Sequence, residues 1–345
     1  MAAGYTTSLL LAAQARLASR FEMPEFKHEP YYLIRLMLDR GQNLLTSGSY
    51  ESYKTSDQRV VYGYVFAKRS VTPGSARSGS HTLAALGDTQ QVTITNTIVS
   101  GTYGTTLKSG GRNLFRMEET LSHDLESASI AINNTLEAAI ATYLSTYRNY
   151  INAASTGWAR FGAFDATNYH WEVPASAEKW FFQYIQEIMS INDYNVPLDM
   201  VCDNAAYALS EQIRTQGGGN DTNTGWQVDN LNIVKSRRVA DTNFQATVYV
   251  MPRGTVGMVN RIPTENIQGF VGKAVTYSNM ADPLGTGLSM ATHYYETATT
   301  DSSSGGGETQ DVTFEYENST DYGLVKAPIS ASANYSPIFK FVLGN

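Results

Sequence analysis

MEETLSHDLESASIAINNTLEAAIATYLSTYRNYIN, running from Met117 to Asn152, is the stretch whose reading decides the fold. Leu121, Leu125, Ala128, Ile132, Leu136, Ala139, Tyr143 and Tyr147 recur at steps of three and four, which puts them on one face of an α-helix. Glu118 and Glu119 stand at its start, where the helix dipole favours negative charge, and Arg148 stands near its end. About thirty residues at 1.5 Å each make a rod of roughly 45 Å, longer than an average globular helix. A coiled coil would carry dense charge pairs beside its apolar seam. Here the other face holds Ser127, Asn133, Asn134 and Thr142. The spacing predicts one rod lying across a sheet, with those four residues on its outer side.

Upstream, residues 48–112 are dense in Gly, Ser and Thr, with alternation in Val60–Phe66 and again in Val92–Val99. Between these predicted strands lies SVTPGSARSGSHTLAALGDTQ, rich in turn residues. The reading is a long β-hairpin arm, which is an aggregation hazard unless a partner covers it. Residues 1–45 read as helical pieces, Leu9–Phe21 and Tyr31–Asp39, interrupted at Glu29-Pro30. They have too little apolar surface for a core of their own and must lie on something else.

Downstream, Ala177–Ile191 carries Trp180, Phe181, Tyr184, Ile185 and Ile188 on one helical side, Leu198–Cys202 is a short apolar strand, and Asn204–Gln216 is a helix capped near Asp203. Leu231–Val234, Ala246–Met251 and Val256–Val259 read as strands. Met290–Thr297 and Val312–Tyr316 read as an antiparallel pair joined by the low-complexity tract Asp301–Gly307. The fold class is α+β, with no internal repeat.

The chain has 345 residues, of which 42% are apolar and only 17% charged, with 22 Tyr. An average soluble domain has roughly 25% charged residues. Low charge with abundant Tyr points to a surface that meets other protein. A net charge of −7 argues against binding nucleic acid by phosphate neutralisation. The single Cys202 allows no internal disulfide and reads as a buried, inert thiol. The N-terminus lacks the basic start of a signal peptide, and no apolar run approaches membrane-spanning length.

Chemistry is sparse. His28, His81, His123, His170 and His293 pair neither with one another nor with Cys202 at ligand spacing, so no metal is expected. Gly104–Gly111 has Lys108-Ser109 but lacks the Gly that a phosphate loop places before its Lys. Gly287-Leu288-Ser289-Met290-Ala291 approaches a nucleophile elbow with Ala where the second Gly belongs. Glu118 and Glu119, adjacent on a helix, point apart and share no site. No catalytic, cofactor-binding or metal constellation results, and the chain reads as a structural building block rather than an enzyme.

The order of segments carries more. Helical arm, long β-hairpin, rod-like helix, mixed domain and returning strand pair together resemble the major capsid proteins of tailed bacteriophages, the Hong Kong 97-like fold. The resemblance covers nearly the whole chain and is architectural, with no short diagnostic motif. It implies an N-terminal arm over 1–47, an E-loop over 48–112, a spine helix and peripheral domain over 113–169, an axial domain over 170–275, and return strands of the peripheral domain over 276–345 with a loop near 301–308. Pro197–Tyr207, Asn232–Ser236 and Val248–Gly254 resemble axial-domain elements, and Ile329–Leu343 resembles the last strand returning to the peripheral domain.

The resemblance implies a subunit that self-assembles into hexamers and pentamers of an icosahedral shell around double-stranded DNA, without cofactors and without a membrane. Its partners would be further copies of itself, a portal, and scaffolding or decoration proteins. It would be found in the virion after assembly in the host cytoplasm. No long helical leader precedes the arm, so a separate scaffolding protein or none is expected, and no Lys–Asn crosslink is expected. Lys54, Arg59, Lys68, Arg69 and Arg77 in the arm are expected to dock on acidic surface of a neighbour, with Glu118, Glu119 and Glu126 as the acceptors. An encapsulin-like compartment, a tail or portal protein, and a hydrolase acting through Ser289 are the alternatives.

Overall fold

The computed structural model describes residues 2–21, 31–45, 47–56, 58–66, 89–106, 117–150, 162–192, 194, 197–216, 231–262, 276–301, 309–327 and 336–344. Helices are α1 (Ala2–Phe21), α2 (Tyr32–Leu44), α3 (Ser47–Thr55), α4 (Met117–Thr146), α5 (Phe181–Ile191) and α6 (Asn204–Gln216). Strands are β1 (Val60–Phe66), β2 (Thr89–Thr106), β3 (Ala163–Asp165), β4 (His170–Val173), β5 (Leu198–Cys202), β6 (Leu231–Lys235), β7 (Ala246–Pro252), β8 (Val256–Arg261), β9 (Thr276–Ala281), β10 (Ser289–Asp301), β11 (Thr309–Lys326) and β12 (Phe339–Leu343).

The strands form two sheets. The first runs β1-β2-β11-β10-β9, all antiparallel, and β8 also pairs with β11. The second runs β3-β4-β12-β7-β5-β6, with β4–β12 and β5–β6 parallel. On β11 the β10 register ends at Ser319 and the β8 register begins at Asp321, so β8 continues the lane that β10 vacates. Asn260 stitches the junction: its Nδ2 donates to Thr320 Oγ1 at 2.6 Å, and its Oδ1 accepts from the Ser289 amide at 2.8 Å.

The rod α4 lies on the first sheet. Leu121, Leu125, Ile132, Leu136, Ile140 and Leu144 pack with Tyr103 of β2, Phe314 and Tyr316 of β11, and Leu9, Ala13 and Leu17 of α1. Burying an aliphatic side chain of this size stabilises by roughly 1.5–3 kcal/mol. Because α1 and the sheet cover different sides of α4, more than half its circumference is buried. Asn133, expected on the outer side, is therefore fully buried, where its Nδ2 donates to Asp282 Oδ2 at 2.9 Å. Towards the C-terminal end the buried arc turns to Ile140, Ala141 and Leu144, leaving Ala139 and Tyr143 half-buried and Tyr147 exposed.

The second sheet has its own core, in which Phe181, Tyr184, Ile185 and Ile188 of α5 meet Val248, Val250, Phe339 and Phe341. Helix α6 begins where the sequence places it: Asp203 Oδ1 accepts from the Ala206 amide at 2.8 Å, while Oδ2 accepts from the Thr247 amide at 2.8 Å. A fork ties α2 to this sheet. Arg40 Nε and Nη2 donate to Asp199 Oδ2 and Oδ1 at 2.8 and 3.0 Å, and Asn232 Nδ2 donates to Oδ1 at 2.9 Å.

Three placements differ from the segment order read in the sequence. The Gly- and Ser-rich start of the arm is helical (α3), held by Tyr53, which is fully buried against Ile94, Val259 and Val325. β8, in the stretch expected to be axial, lies in the first sheet. β12 does not join the strand pair β10–β11 but enters the middle of the second sheet between β4 and β7.

Candidate assembly surfaces

The expected arm is a hairpin of β1 and β2 in register from Val60↔Thr95 to Phe66↔Thr89. Its root is built around a buried cation. Arg261, 4% exposed, donates through Nη1 to the Ser56 carbonyl and through Nη2 to the Gln58 carbonyl at 2.7 Å. Its Nε faces Asp321 Oδ2 at 3.7 Å, and its guanidinium sits 5.4 Å from the Tyr53 ring centroid. Tyr53 donates its hydroxyl to Asn96 Oδ1, and Asn96 donates its amide to the Arg59 carbonyl at 2.9 Å. Burial raises the Tyr53 hydroxyl well above its ordinary range. The backbone entering the hairpin is thereby clamped to β8 and β11.

Of the five cations expected to dock on a neighbour, Lys54 and Arg59 flank this root and are exposed, Lys54 with its Nζ 4.5 Å from the Tyr50 ring centroid. Lys68, Arg69 and Arg77 lie outside the described residues. The acidic acceptors at the start of α4 are placed unevenly. Glu118 is half-buried, Glu119 pairs with Arg16 of α1, and Glu126 is only 8% exposed. Within one chain, then, this end of α4 presents less open acidic surface than its sequence suggests. Arg261, Asp321 and Asp282 escaped the sequence reading. For Arg261 and Asp321 the signal was there, in charged residues that fall within predicted or extended strand stretches, whereas Asp282 sits in a turn that carries no such mark.

On the other side of the hairpin root, a cleft of about 430 Å³ opens between β2 and the last turns of α4. Thr93, Thr95 and Thr97 line one wall, and Thr142, Tyr143 and Tyr147 line the other. Thr142 Oγ1 donates back to the Ala138 carbonyl at 2.9 Å, and Lys326 Nζ caps the Tyr147 ring at 4.2 Å. Burial raises the Tyr143 hydroxyl above its ordinary range. A wall of hydroxyls and rings can bind by contact and hydrogen bonding, and it offers no acid–base pair.

Ser289 opens β10 and is followed by strand, so the strand-to-helix turn of a nucleophile elbow is not formed there. Its carbonyl accepts from Thr320 Oγ1 at 2.8 Å, and this makes it part of the β8–β10 junction. His123 is exposed beside Asp124, as its position on the helix suggested, whereas His170 and His293 are buried. His28, His81 and most of Gly104–Gly111 fall outside the described residues. Among the described residues, no three His, Cys, Asp or Glu side chains converge to hold a metal, and no helix is long and apolar enough to cross a membrane.

No protein-family model matches the chain, and no curated protein matches it. Solved structures do. A chain of Mycobacterium phage Che8 is similar over 92% of this chain and 93% of its own, with TM-score 0.50 and 12% identity. A chain in the capsid of Ralstonia phage GP4 covers 94% of each chain at TM-score 0.49 and 9% identity. A chain in the cyanophage A-1(L) capsid asymmetric unit covers 93% and 94% at TM-score 0.49 and 10% identity. At such identities the likeness is one of fold. The chain shares its mixed α+β fold with the Mycobacterium phage Che8 chain over nearly its whole length.

Proposed function

We propose that this chain is the major capsid protein of a tailed phage and that its function is geometry. The observation that carries the reading is the end-to-end likeness in fold to a chain of Mycobacterium phage Che8, joined to a segment order that resembles the Hong Kong 97-like capsid proteins. In this reading copies assemble into hexamers and pentamers of an icosahedral shell around double-stranded DNA. The arm, E-loop, spine, peripheral and axial divisions follow the boundaries given above, except that β8 goes with the first sheet and β12 with the second. The clamp around Arg261 suits an arm that must leave its own subunit at a defined angle, because the entering backbone is held at the Ser56 and Gln58 carbonyls by Arg261 and at the Arg59 carbonyl by Asn96.

The partners in this reading are further copies of the chain, a portal, and scaffolding or decoration proteins. A subunit of net charge −7 suits a wall that encloses DNA without gripping it. Assembly takes place in the host cytoplasm and the product is the virion, with no catalytic step assigned to any residue.

Negative-stain microscopy of the expressed full chain tests the proposal. Closed icosahedral particles are expected. Tubes or isolated rings at every salt concentration would transfer the chain to the tail or portal. Particles that enclose protein cargo and exclude nucleic acid in the producing cell would make it an encapsulin-like compartment.

A further inference from the structure

The cleft between β2 and the last turns of α4 ends on a cation that has no carboxylate. Tyr322 and Leu324 line the cleft from β11, and Lys326 comes next on the same face of that strand. Its Nζ lies 4.2 Å from the Tyr147 ring centroid, and Tyr147 packs on Tyr143 with centroids 4.5 Å apart. Among the described residues no Asp or Glu lines the cleft, and Lys326 makes no ion pair or side-chain hydrogen bond. Burial holds its pKa below the ordinary lysine range, with no carboxylate pulling it back up. An ammonium in that position is stabilised by an anion that can reach it.

The hydroxyls around it fall into two sets. Thr142 and Thr146 donate to the Ala138 and Thr142 carbonyls at 2.9 and 2.8 Å, so towards the cleft they can only accept. Thr97 is engaged with Tyr322 on the neighbouring strand. Thr93, Thr95 and Tyr143 make no side-chain hydrogen bond among the described residues, and their hydroxyls are left to donate. The cleft therefore offers donors at Thr93, Thr95, Tyr143 and Lys326, and acceptors at Thr142 and Thr146.

Shape narrows the ligand. From Thr93 to Thr97 the β2 wall runs about 14 Å, and from Ala139 to Tyr147 the α4 wall runs about 12 Å. A trough of that length matches about four residues of extended chain, whose carbonyls accept from one set of groups while its amides donate to the other. Val60 and Tyr62 pair with Thr95 and Thr93, which puts them beside the trough on the same face of the sheet. Both are exposed, as is Tyr147. A small inorganic anion would leave most of the trough empty and this apolar rim uncovered.

We propose that the cleft takes an extended acidic segment of another protein, with one Asp or Glu carboxylate on Lys326 Nζ and main-chain carbonyls on Thr93, Thr95 and Tyr143. Tyr62 and Tyr147 then cover the segment from either side, giving contact area with a polar tip. This docking goes beyond the shell reading and stands or falls independently of it.

Fluorescence anisotropy on the full chain tests this, with an end-capped Glu-Thr-Glu-Thr-Glu peptide as probe and its Gln-for-Glu counterpart beside it. Saturable binding of the Glu peptide is expected, with the Gln peptide at least about tenfold weaker and the gap closing as salt is raised. Lys326→Met should weaken the Glu peptide at least about tenfold, flatten its salt dependence and leave the Gln peptide within about twofold. Thr95→Val and Tyr143→Phe should each weaken both peptides about threefold. Lys179→Met, which removes an exposed cation beside Trp180 and outside the cleft, should bind as wild type does. Thermal melting checks that each variant folds. Equal binding of the two peptides, no saturable binding, a Lys326→Met chain that binds like wild type, or a Lys179→Met chain that loses as much would each overturn the docking. So would self-association of the wild type that Lys326→Met removes without peptide present, since the occupant would then be a second copy. Wild-type chains that bind the peptide and build no shells sink the shell reading alone. Shells built by chains that ignore the peptide sink the docking alone.

Discussion

Gly41 of α2 and Gly257 of β8 meet backbone to backbone. A Cβ on Gly41 would stand 2.0 Å from the Met258 carbonyl oxygen, and one on Gly257 would stand 2.5 Å from the Gly41 amide nitrogen. In an exposed helix interior, Ala is favoured over Gly by roughly 1 kcal/mol. Here the clash is with main chain, which cannot swing aside. Gly41→Ala should therefore destabilise by about 2–3 kcal/mol net, in the range of overpacked cores, measured as a lowered midpoint in urea. A stabilised variant would show that α2 is free to lift from β8.

Arg40 and Asp199 form a two-pronged pair in which the carboxylate side chain is 3% exposed. Removing the cation strands a buried charge. Arg40→Ala should cost about 3–5 kcal/mol, and Arg40→Lys, which keeps the charge and loses the fork, should fall between it and wild type. Equal stability of the Lys and Arg chains in denaturant titrations would mean that the fork geometry contributes nothing.

His170 is 1% exposed, with the Phe244 ring 4.9 Å away. Burial, followed by the positive charge of Lys340, holds its pKa below the usual 6.5, although Asp165 and Glu172 pull the other way. The unfolded chain takes up a proton here that the folded chain resists. Stability from this group is thus complete above about pH 6.5 and declines as pH falls through the region below it. The urea midpoint should drop between about pH 7 and about pH 5, and His170→Phe should flatten that slope. An unchanged slope in the variant would assign the acid sensitivity elsewhere.

Cys202 is fully buried, its Sγ donating to the Val234 carbonyl at 3.4 Å, and burial pushes its pKa up to about 12. Thiolate is the reactive form, so native protein should resist iodoacetamide at mildly alkaline pH, whereas unfolded protein should be modified stoichiometrically by mass spectrometry. Rapid labelling of native protein would place the thiol at an opening.

The long rod was legible because thirty residues of helical period leave little ambiguity, and Leu198–Cys202 and Asn204–Gln216 were read to the residue. Other features depend on partners far away in the chain. SGSYESYKT is made mostly of weak helix formers, and α3 is held chiefly by Tyr53, buried against β8 and β11, with Tyr50 packed beside it. Five residues of β12 look alike wherever they pair, so the sheet they join is decided by β4 and β7. Asn133 looked like an outer-face residue because nothing near it in sequence announces Asp282. The same holds for the arm's root: its cations stood out, but nothing near Arg261 in sequence announces Asp321 or the Ser56 and Gln58 carbonyls.

The placement of β11 and β12 has a consequence for timing. β2 gains its inner neighbour only from residues near 320, and the middle of the second sheet is vacant until Phe339–Leu343 arrives. Pairings this distant in sequence are slow to form. A chain still being synthesised therefore cannot complete its first sheet before Lys326 is made, nor its second before Leu343.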